Sequence, residues 1–456
     1  MPLELQQPDA AEKRQCVHAC RSRQLSKFYA LRRMLERPRE ENLPAQSPRG
    51  LSHPAQPIGD QLQGLSALLQ QHSGLWRPQP FVELDLPWQK DHPELMSWLD
   101  GLTEEQLVDP QRRWLQAGPP WLILLAQQLE QASGLPWLAQ AATLDLGAAA
   151  MRRVPGRKVQ QMAGFCATVL PYIRSSADEI VDWCAGKSHL GRTLARLSGK
   201  DLLALERDPE LVSKGQQECD HLGLRTRFHC ADVLHPAIAE WLGPNQWVVA
   251  LHACGDLHGA LLRVAAQRRV RGVAVAPCCY NLIADAEGRA LSHLGRSARL
   301  DLTATDLDLV HREPVVVNST DWAKTQQELA WRLGFDLLQR EFCKAAAYRA
   351  MPSFPRTWLR LPYTDFCRQF AALDGMVLPG SLDVQPWETL GWQRLAQVRR
   401  RELLRGLFRS ALETWLVLDR AQLLVEAGFT VQAGRFCDRS ATPRNAMILA
   451  SLAPQS

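Results

Sequence analysis

Long apolar runs are missing from this 456-residue chain, and the longest stretches, such as Trp121-Leu122-Ile123-Leu124-Leu125-Ala126, fall far short of a bilayer. A spanning helix needs roughly 20 apolar residues, so the sequence predicts no membrane span. The chain opens with Glu4, Asp9 and Glu12 and has no apolar segment behind a basic start. No signal peptide is therefore expected. The twelve cysteines lack regular spacing and form no C-x2-C pair. That argues against a disulfide framework and for reduced thiols in the cytoplasm. The G-x-G-x-x-G signature of dinucleotide sites is absent too. Neither sign of charge dominates, since the net charge is only +5.

What excess there is lies in two places. Up to Pro57 the chain carries ten Lys and Arg against six Asp and Glu, and Arg394, Arg399, Arg400, Arg401, Arg405 and Arg409 form a second cluster with the single acid Glu402. With Arg289, Arg296 and Arg299 these are the candidate RNA-facing surface, although a solvated helix face is the commoner explanation of such runs.

Residues 1–57 read as a basic helix and a polar linker. Residues 58–150 carry Leu and Trp at helical spacing and read as an N-terminal helical domain available to a protein partner. Between Glu179 and Tyr280 five short apolar runs alternate with helical pieces: Glu179–Trp183, Asp201–Glu206, Arg225–Cys230, Gln246–His252 and Gly272–Pro277. Apolar strands alternating with helices predict a parallel sheet covered on both faces, an α/β fold. Two more strands are expected at Thr430–Phe436 and Ala446–Leu452, behind a helix from Leu412. That ending matches a class I Rossmann-like methyltransferase sheet of seven strands with an antiparallel last strand. The core is thus predicted in two parts, 151–285 and 411–456, split by a mainly helical insertion at 286–410.

The chemistry begins at Val181-Asp182-Trp183-Cys184-Ala185-Gly186-Lys187-Ser188-His189-Leu190-Gly191, a strand running through a small-residue loop into a helix. Gly186 and Gly191 allow close backbone approach, and the helix N-terminus offers N–H groups to a carboxylate. Glu206 ends the second strand, 24 positions after Asp182, where an acid accepts from ribose hydroxyls. Asp232 follows the third strand, where a side chain meets the adenine amine. Three such features at successive strand ends predict an S-adenosylmethionine site. Asp182, Cys184, Ala185, Gly186, Lys187, Gly191, Glu206, Asp232 and His252 are its candidate residues.

The loop DWCAGKSHLG, the stretch LHACGDL (251–257) and PCCYN (277–281) resemble one methyltransferase-like family. It includes the ribosomal RNA adenine dimethylase domain-containing and the glutathione S-transferase C-terminal-domain-containing proteins. The first two motifs also resemble the tRNA acceptor-stem 2′-O-methyltransferases, without those enzymes' zinc-finger modules. Further echoes are RKVQ (157–160), LVLDR (416–420) and ATPRN (441–445). The resemblance covers about 150–285 and 410–456. It implies an S-adenosylmethionine cofactor and an RNA substrate, tRNA or rRNA.

Ligands of open α/β sheets lie outside the carboxyl ends of the strands. The candidate catalytic residues there are His252, Cys254 and Asp256 after strand four, and Cys278, Cys279 and Tyr280 after strand five. Two chemistries fit. In one, His252 or Asp256 orients or deprotonates an RNA hydroxyl or amine while Tyr280 stacks on the target base. In the other, Cys254 or Cys279 adds to a pyrimidine ring. The plainer roles stay open beside them: buried small residues for the cysteines, a loop bond for His252, a helix cap for Asp256. Adjacent cysteines make poor tetrahedral ligands, and Cys16, His18 and Cys20 lack a fourth, so no metal is expected. Methylation of a protein or small molecule, or a silent cofactor-binding scaffold, remain the competing functions.

Overall fold

The computed structural model describes residues 57–109, 112–140, 144, 146, 156–311, 319–344 and 347–452. The basic N-terminal piece with Cys16, His18 and Cys20 lies outside them. Residues 55–315 with 329–456 form one compact unit, which holds the whole sheet.

Seven strands run in the order β3-β2-β1-β4-β5-β7-β6. They are β1 (Glu179–Trp183), β2 (Asp201–Glu206), β3 (Thr226–Cys230), β4 (Gln246–Cys254), β5 (Gly272–Cys278), β6 (Thr430–Arg435) and β7 (Ala446–Ser451). The first five are parallel, and β7 lies antiparallel between β5 and β6. This is the Rossmann-like methyltransferase order, with β6 and β7 belonging to the same sheet as β1 to β5. Alternate residues of each strand feed two cores, because side chains along a strand point to opposite faces. Ile180, Leu202, Val249 and Ala274 pack under the helix Gly156–Ser176 (α1). Val181, Leu203, Val248 and Val273 pack on the other face with the helices Asp256–Arg268 (α2) and Gln385–Glu426 (α3).

Helix α3 is continuous over 42 residues. It therefore runs straight through residue 410, where the sequence suggested the insertion would end. Its only interior glycine past the first turns, Gly406, meets no steric demand and interrupts nothing. The N-terminal helices Ile58–Gln71 and Pro120–Ala132 lie along it and share its core, with Leu62, Leu65, Leu122 and Leu125 buried beside Phe408, Leu412 and Trp415. At the sheet edge, Pro136 accepts from the Arg435 amide at 2.7 Å and the Leu138 amide donates back to the Arg435 carbonyl at 3.0 Å. This short pairing covers an otherwise open strand.

The arginine run does not make a surface. Arg394, Arg401, Arg405 and Arg409 repeat at helical spacing on the buried side of α3. Arg394 donates to the Pro80 and Glu83 carbonyls, Arg405 to the Trp76 carbonyl and Glu402, and Arg399 pairs with Glu104. These guanidinium groups satisfy carbonyls of the N-terminal segment, which corrects the expectation that the run faces RNA. Among the described residues no helix is long and apolar enough to cross a membrane.

Candidate functional site at the carboxyl ends of the strands

Asp182 ends up inside the loop it was expected to serve. It is buried at the end of β1, and its Oδ2 accepts from Ser188 Oγ at 2.7 Å and the Gly191 amide at 3.0 Å. Burial pushes its carboxyl up to about 7, against the opposing pull of those two donors. The bond to Gly191 pins the helix His189–Ser198 to the strand. A Cβ at Gly191 would sit 2.8 Å from the Asp182 carboxylate and 2.5 Å from Ser188 Oγ. Cys184 and Gly186 adopt positive φ, 57° and 56°, and the space beyond Gly186 is open. Between them the Ala185 amide donates to the Leu205 carbonyl at 2.9 Å, and Lys187 pairs with Glu218 at 3.6 Å.

Glu206, at the end of β2, ties this loop to the next. Its Oε2 accepts from the Gly186 amide at 2.8 Å, and Oε1 from the Arg207 and Asp208 amides at 2.9 Å each. The carboxylate is thus oriented by backbone and keeps one lone-pair site, on Oε2, for a hydroxyl donor. Asp232, after β3, is exposed and accepts from the Leu234 amide at 3.0 Å. It borders a cavity of about 330 Å³ lined by His229, Ala231, His235, Ile238 and Trp241. A loop with room beyond its glycine, an oriented carboxylate and an exposed carboxylate beside a cavity suit the amino acid, ribose and adenine parts of S-adenosylmethionine.

Beside this cradle, β4 and β5 bring the chemical candidates together. The register of β4 on β5 shifts between Leu251 and Ala253, with His252 at φ 67°. Its Nε2–H donates to Gln161 Oε1 at 2.7 Å, while Gln161 Nε2 donates to the Ala441 carbonyl at 2.9 Å. The second bond fixes which end of the amide faces the imidazole, so His252 Nδ1 is left as the ring's acceptor. Burial, then the Lys158 ammonium, lowers the His252 pKa and keeps the ring neutral. Lys158 belongs to the RKVQ motif, but Gln161, one turn further along α1, lies just outside it, and nothing in a lone glutamine marks it as touching a residue 91 positions away.

The sulfur atoms of Cys254 and Cys278 lie 3.3 Å apart, and those of Cys254, Cys278 and Cys279 all fall within 4.8 Å of one another. The hydrogen bond between Cys254 and Cys278 pulls the Cys254 thiol down, and the same contact together with burial raises Cys278. Asp256, at the start of α2, accepts from the Ala284 amide at 3.0 Å. It thereby holds the chain that leaves β5.

Tyr280 does not reach the open side. It is 2% exposed, with its ring against His258 at 5.5 Å and under the Arg420 guanidinium at 5.2 Å. The expected stacking on a target base is corrected: the ring anchors the turn after β5 to the interior. There His258 Nδ1–H donates to the Ala253 carbonyl at 3.1 Å and Arg420 Nε donates to His258 Nε2 at 2.9 Å.

Residues 156–286 match a protein-family model described as a methyltransferase domain. Over 128 residues the chain is 30% identical to the glutathione S-transferase C-terminal domain-containing protein of Xenopus laevis, a match covering 28% of this chain and 20% of that protein. The human protein of the same name is 29% identical over 128 residues, covering 28% and 19%. The chain thus matches about a fifth of the length of these curated relatives. Solved structures similar to it include an rRNA methylase from Streptococcus thermophilus, 15% identical with a TM-score of 0.21 and covering 24% of this chain and 68% of that one. An S-adenosylmethionine-dependent methyltransferase from Clostridium acetobutylicum is 13% identical with a TM-score of 0.22, covering 28% and 53%. The stretch that matches the methyltransferase-domain model, 156–286, carries β1 to β5 of the sheet, which the hairpin β6–β7 completes.

Proposed function

We propose that this chain methylates RNA, tRNA or rRNA, with S-adenosylmethionine held along Gly186, Glu206 and Asp232. The observation that carries the reading is the convergence of that cradle with His252, Cys254 and Cys279 at one edge of the sheet. When bound, the cofactor supplies a methyl group made electrophilic by its sulfonium. The chain's own residues then position the acceptor and take up its proton, and positioning supplies much of the rate. His252 Nδ1 is the acceptor atom for that proton, with the ring held neutral and oriented by Gln161. The cysteines offer the alternative of covalent attack on a pyrimidine.

RNA as the substrate is supported by the likeness of DWCAGKSHLG and HACGD to the tRNA enzymes and by the exposed Arg296 and Arg299. The inward-facing arginine run favours the second reading, a protein or small-molecule substrate, because it removes the largest basic stripe. A cytoplasmic location belongs to the same proposal, supported by the free thiols of the described cysteines. So does a protein partner on the N-terminal helices, where Leu124 is 56% exposed.

The test is tritium transfer from labelled S-adenosylmethionine to RNA, protein and small-molecule fractions from cells lacking the protein. Label in RNA that vanishes with Gly186→Arg is the expected result. Label in protein or metabolites alone would replace the RNA reading. No transfer despite cofactor binding would leave a binding scaffold.

A further inference from the structure

Among the described residues, one group of His, Cys, Asp and Glu side chains converges tightly enough for a metal ion: Cys254, Cys278 and Cys279. Sequence spacing spoke against it, since two of the three are adjacent. Two backbone features overcome that objection. Leu251 pairs with Ala276, so a regular ladder would set Ala253 opposite Cys278. The shift at His252 advances β4 by one residue and brings Cys254 to that position instead. Residues paired in this way on neighbouring strands direct their side chains to the same face. After β5, Cys279 takes a left-handed conformation, φ 48° and ψ 50°, which turns its side chain back toward Cys278. The turn is anchored by buried Tyr280, and the Gly255 amide donates to the Cys278 carbonyl at 3.1 Å. Each sulfur is therefore carried on a held element and not on a free loop.

We infer that Cys254, Cys278 and Cys279 form a three-thiolate site for Zn2+ at the carboxyl ends of β4 and β5. Zinc–thiolate bonds of about 2.3 Å at tetrahedral angles separate the sulfurs by about 3.8 Å. The observed separations, 3.3 Å for Cys254–Cys278 and none of the three beyond 4.8 Å, straddle that value. Thiolates select zinc over the harder magnesium and calcium ions. Binding converts three thiols to thiolates and releases their protons to solvent, so affinity rises with pH. Cys278 is buried beneath, while Cys254 and Cys279 are partly exposed. The fourth coordination position consequently faces outward. Three protein ligands and one open position is the arrangement of reactive zinc sites and not of structural ones.

The site is tested on the full chain, reduced, stripped of metal and titrated anaerobically with Zn2+ against a chromogenic chelator, and with Co2+ by absorption spectroscopy. One equivalent of Zn2+ and a sulfur-to-cobalt charge-transfer band are expected. Cys254→Ser, Cys278→Ser and Cys279→Ser should each weaken binding about tenfold or more and diminish the band, whereas Cys230→Ser and Cys343→Ser, exposed cysteines elsewhere, should change neither. Thermal melts and cofactor binding by each variant verify that it is folded. Absence of stoichiometric binding, binding untouched by the three substitutions, or a Cys254–Cys278 disulfide recovered under reducing isolation would each overturn the inference. The readout needs no methyl transfer, so it fails or succeeds independently of the proposed activity.

Discussion

Gly191 shows how little room the cofactor loop leaves. A methyl group there would press on Ser188 Oγ and the Asp182 carboxylate, the two groups that hold the helix N-terminus to β1. Gly191→Ala is expected to cost about 1–3 kcal/mol in stability. It should also weaken binding of S-adenosylhomocysteine, as measured by denaturant unfolding and calorimetry. Undiminished binding would mean that the loop tolerates displacement.

Asp182 itself gives a pH prediction. Its folded carboxyl is raised from 3.8 to about 7 by burial, so between those values the folded chain holds a proton that the unfolded chain has lost. The contribution is full below the ordinary carboxylate range and declines as pH rises through about 7, at up to about 1.4 kcal/mol per pH unit. Asp182→Asn carries no such proton. The stability of the native chain relative to this variant should therefore fall from about pH 5 to about pH 8. A difference that stays flat across that range would show that Asp182 is ionised throughout.

At the scale of the element, α3 ties the N-terminal helices and the turn after β5 to the sheet through cations placed in its interior face. Arg420 is fully buried, pairs with Asp419 at 3.3 Å, donates to His258 and to the Gly288 carbonyl, and lies over Tyr280. Removing one member of such a set leaves buried polar groups uncompensated, so Arg420→Met should cost about 3–5 kcal/mol in urea unfolding. Arg399→Met, whose partner Glu104 is half-exposed, should cost under about 1 kcal/mol. Equal effects would contradict this account of the helix. Arg405→Met should likewise lower Tm while leaving RNA affinity unchanged, since its guanidinium is bound to the Trp76 carbonyl and Glu402.

The strands were legible because short apolar runs between helical pieces have few other solutions, and all seven were found within two residues of their ends. The bulge at His252 was not, because nothing in the residue type marks a histidine for φ 67°. The arginine run misled for a related reason. Its members at 394, 401, 405 and 409 do follow a helical face, but a charged face reads as solvated unless its partners are known. For Arg394 and Arg405 those partners are main-chain carbonyls more than 300 positions away. Tyr280 was misplaced likewise, since its neighbour Arg420 arrives from the far side of the insertion.

For the unit formed by residues 55–315 and 329–456, the core is common property. Leu62 and Trp76 from the N-terminal helices, Val181 and Val275 from the sheet, and Trp415 from α3 fall in one buried cluster. That unit should melt in a single transition, and a ligand of the cradle should raise the whole of it, by about 2.7 kcal/mol at one hundred times its Kd. Deletion of residues 58–132 should leave α3 with an uncovered apolar face and yield aggregated protein. A soluble truncated chain that still binds cofactor would show the N-terminal helices to be an independent addition.

The most direct test of the central claim is calorimetric titration of the full chain with S-adenosylmethionine, beside Gly186→Arg, which places a long side chain in the open space beyond the loop. Saturable one-site binding by the native chain and none by the folded variant is the predicted result. No binding by the native chain, or equal binding by both, would contradict the assignment of this cradle.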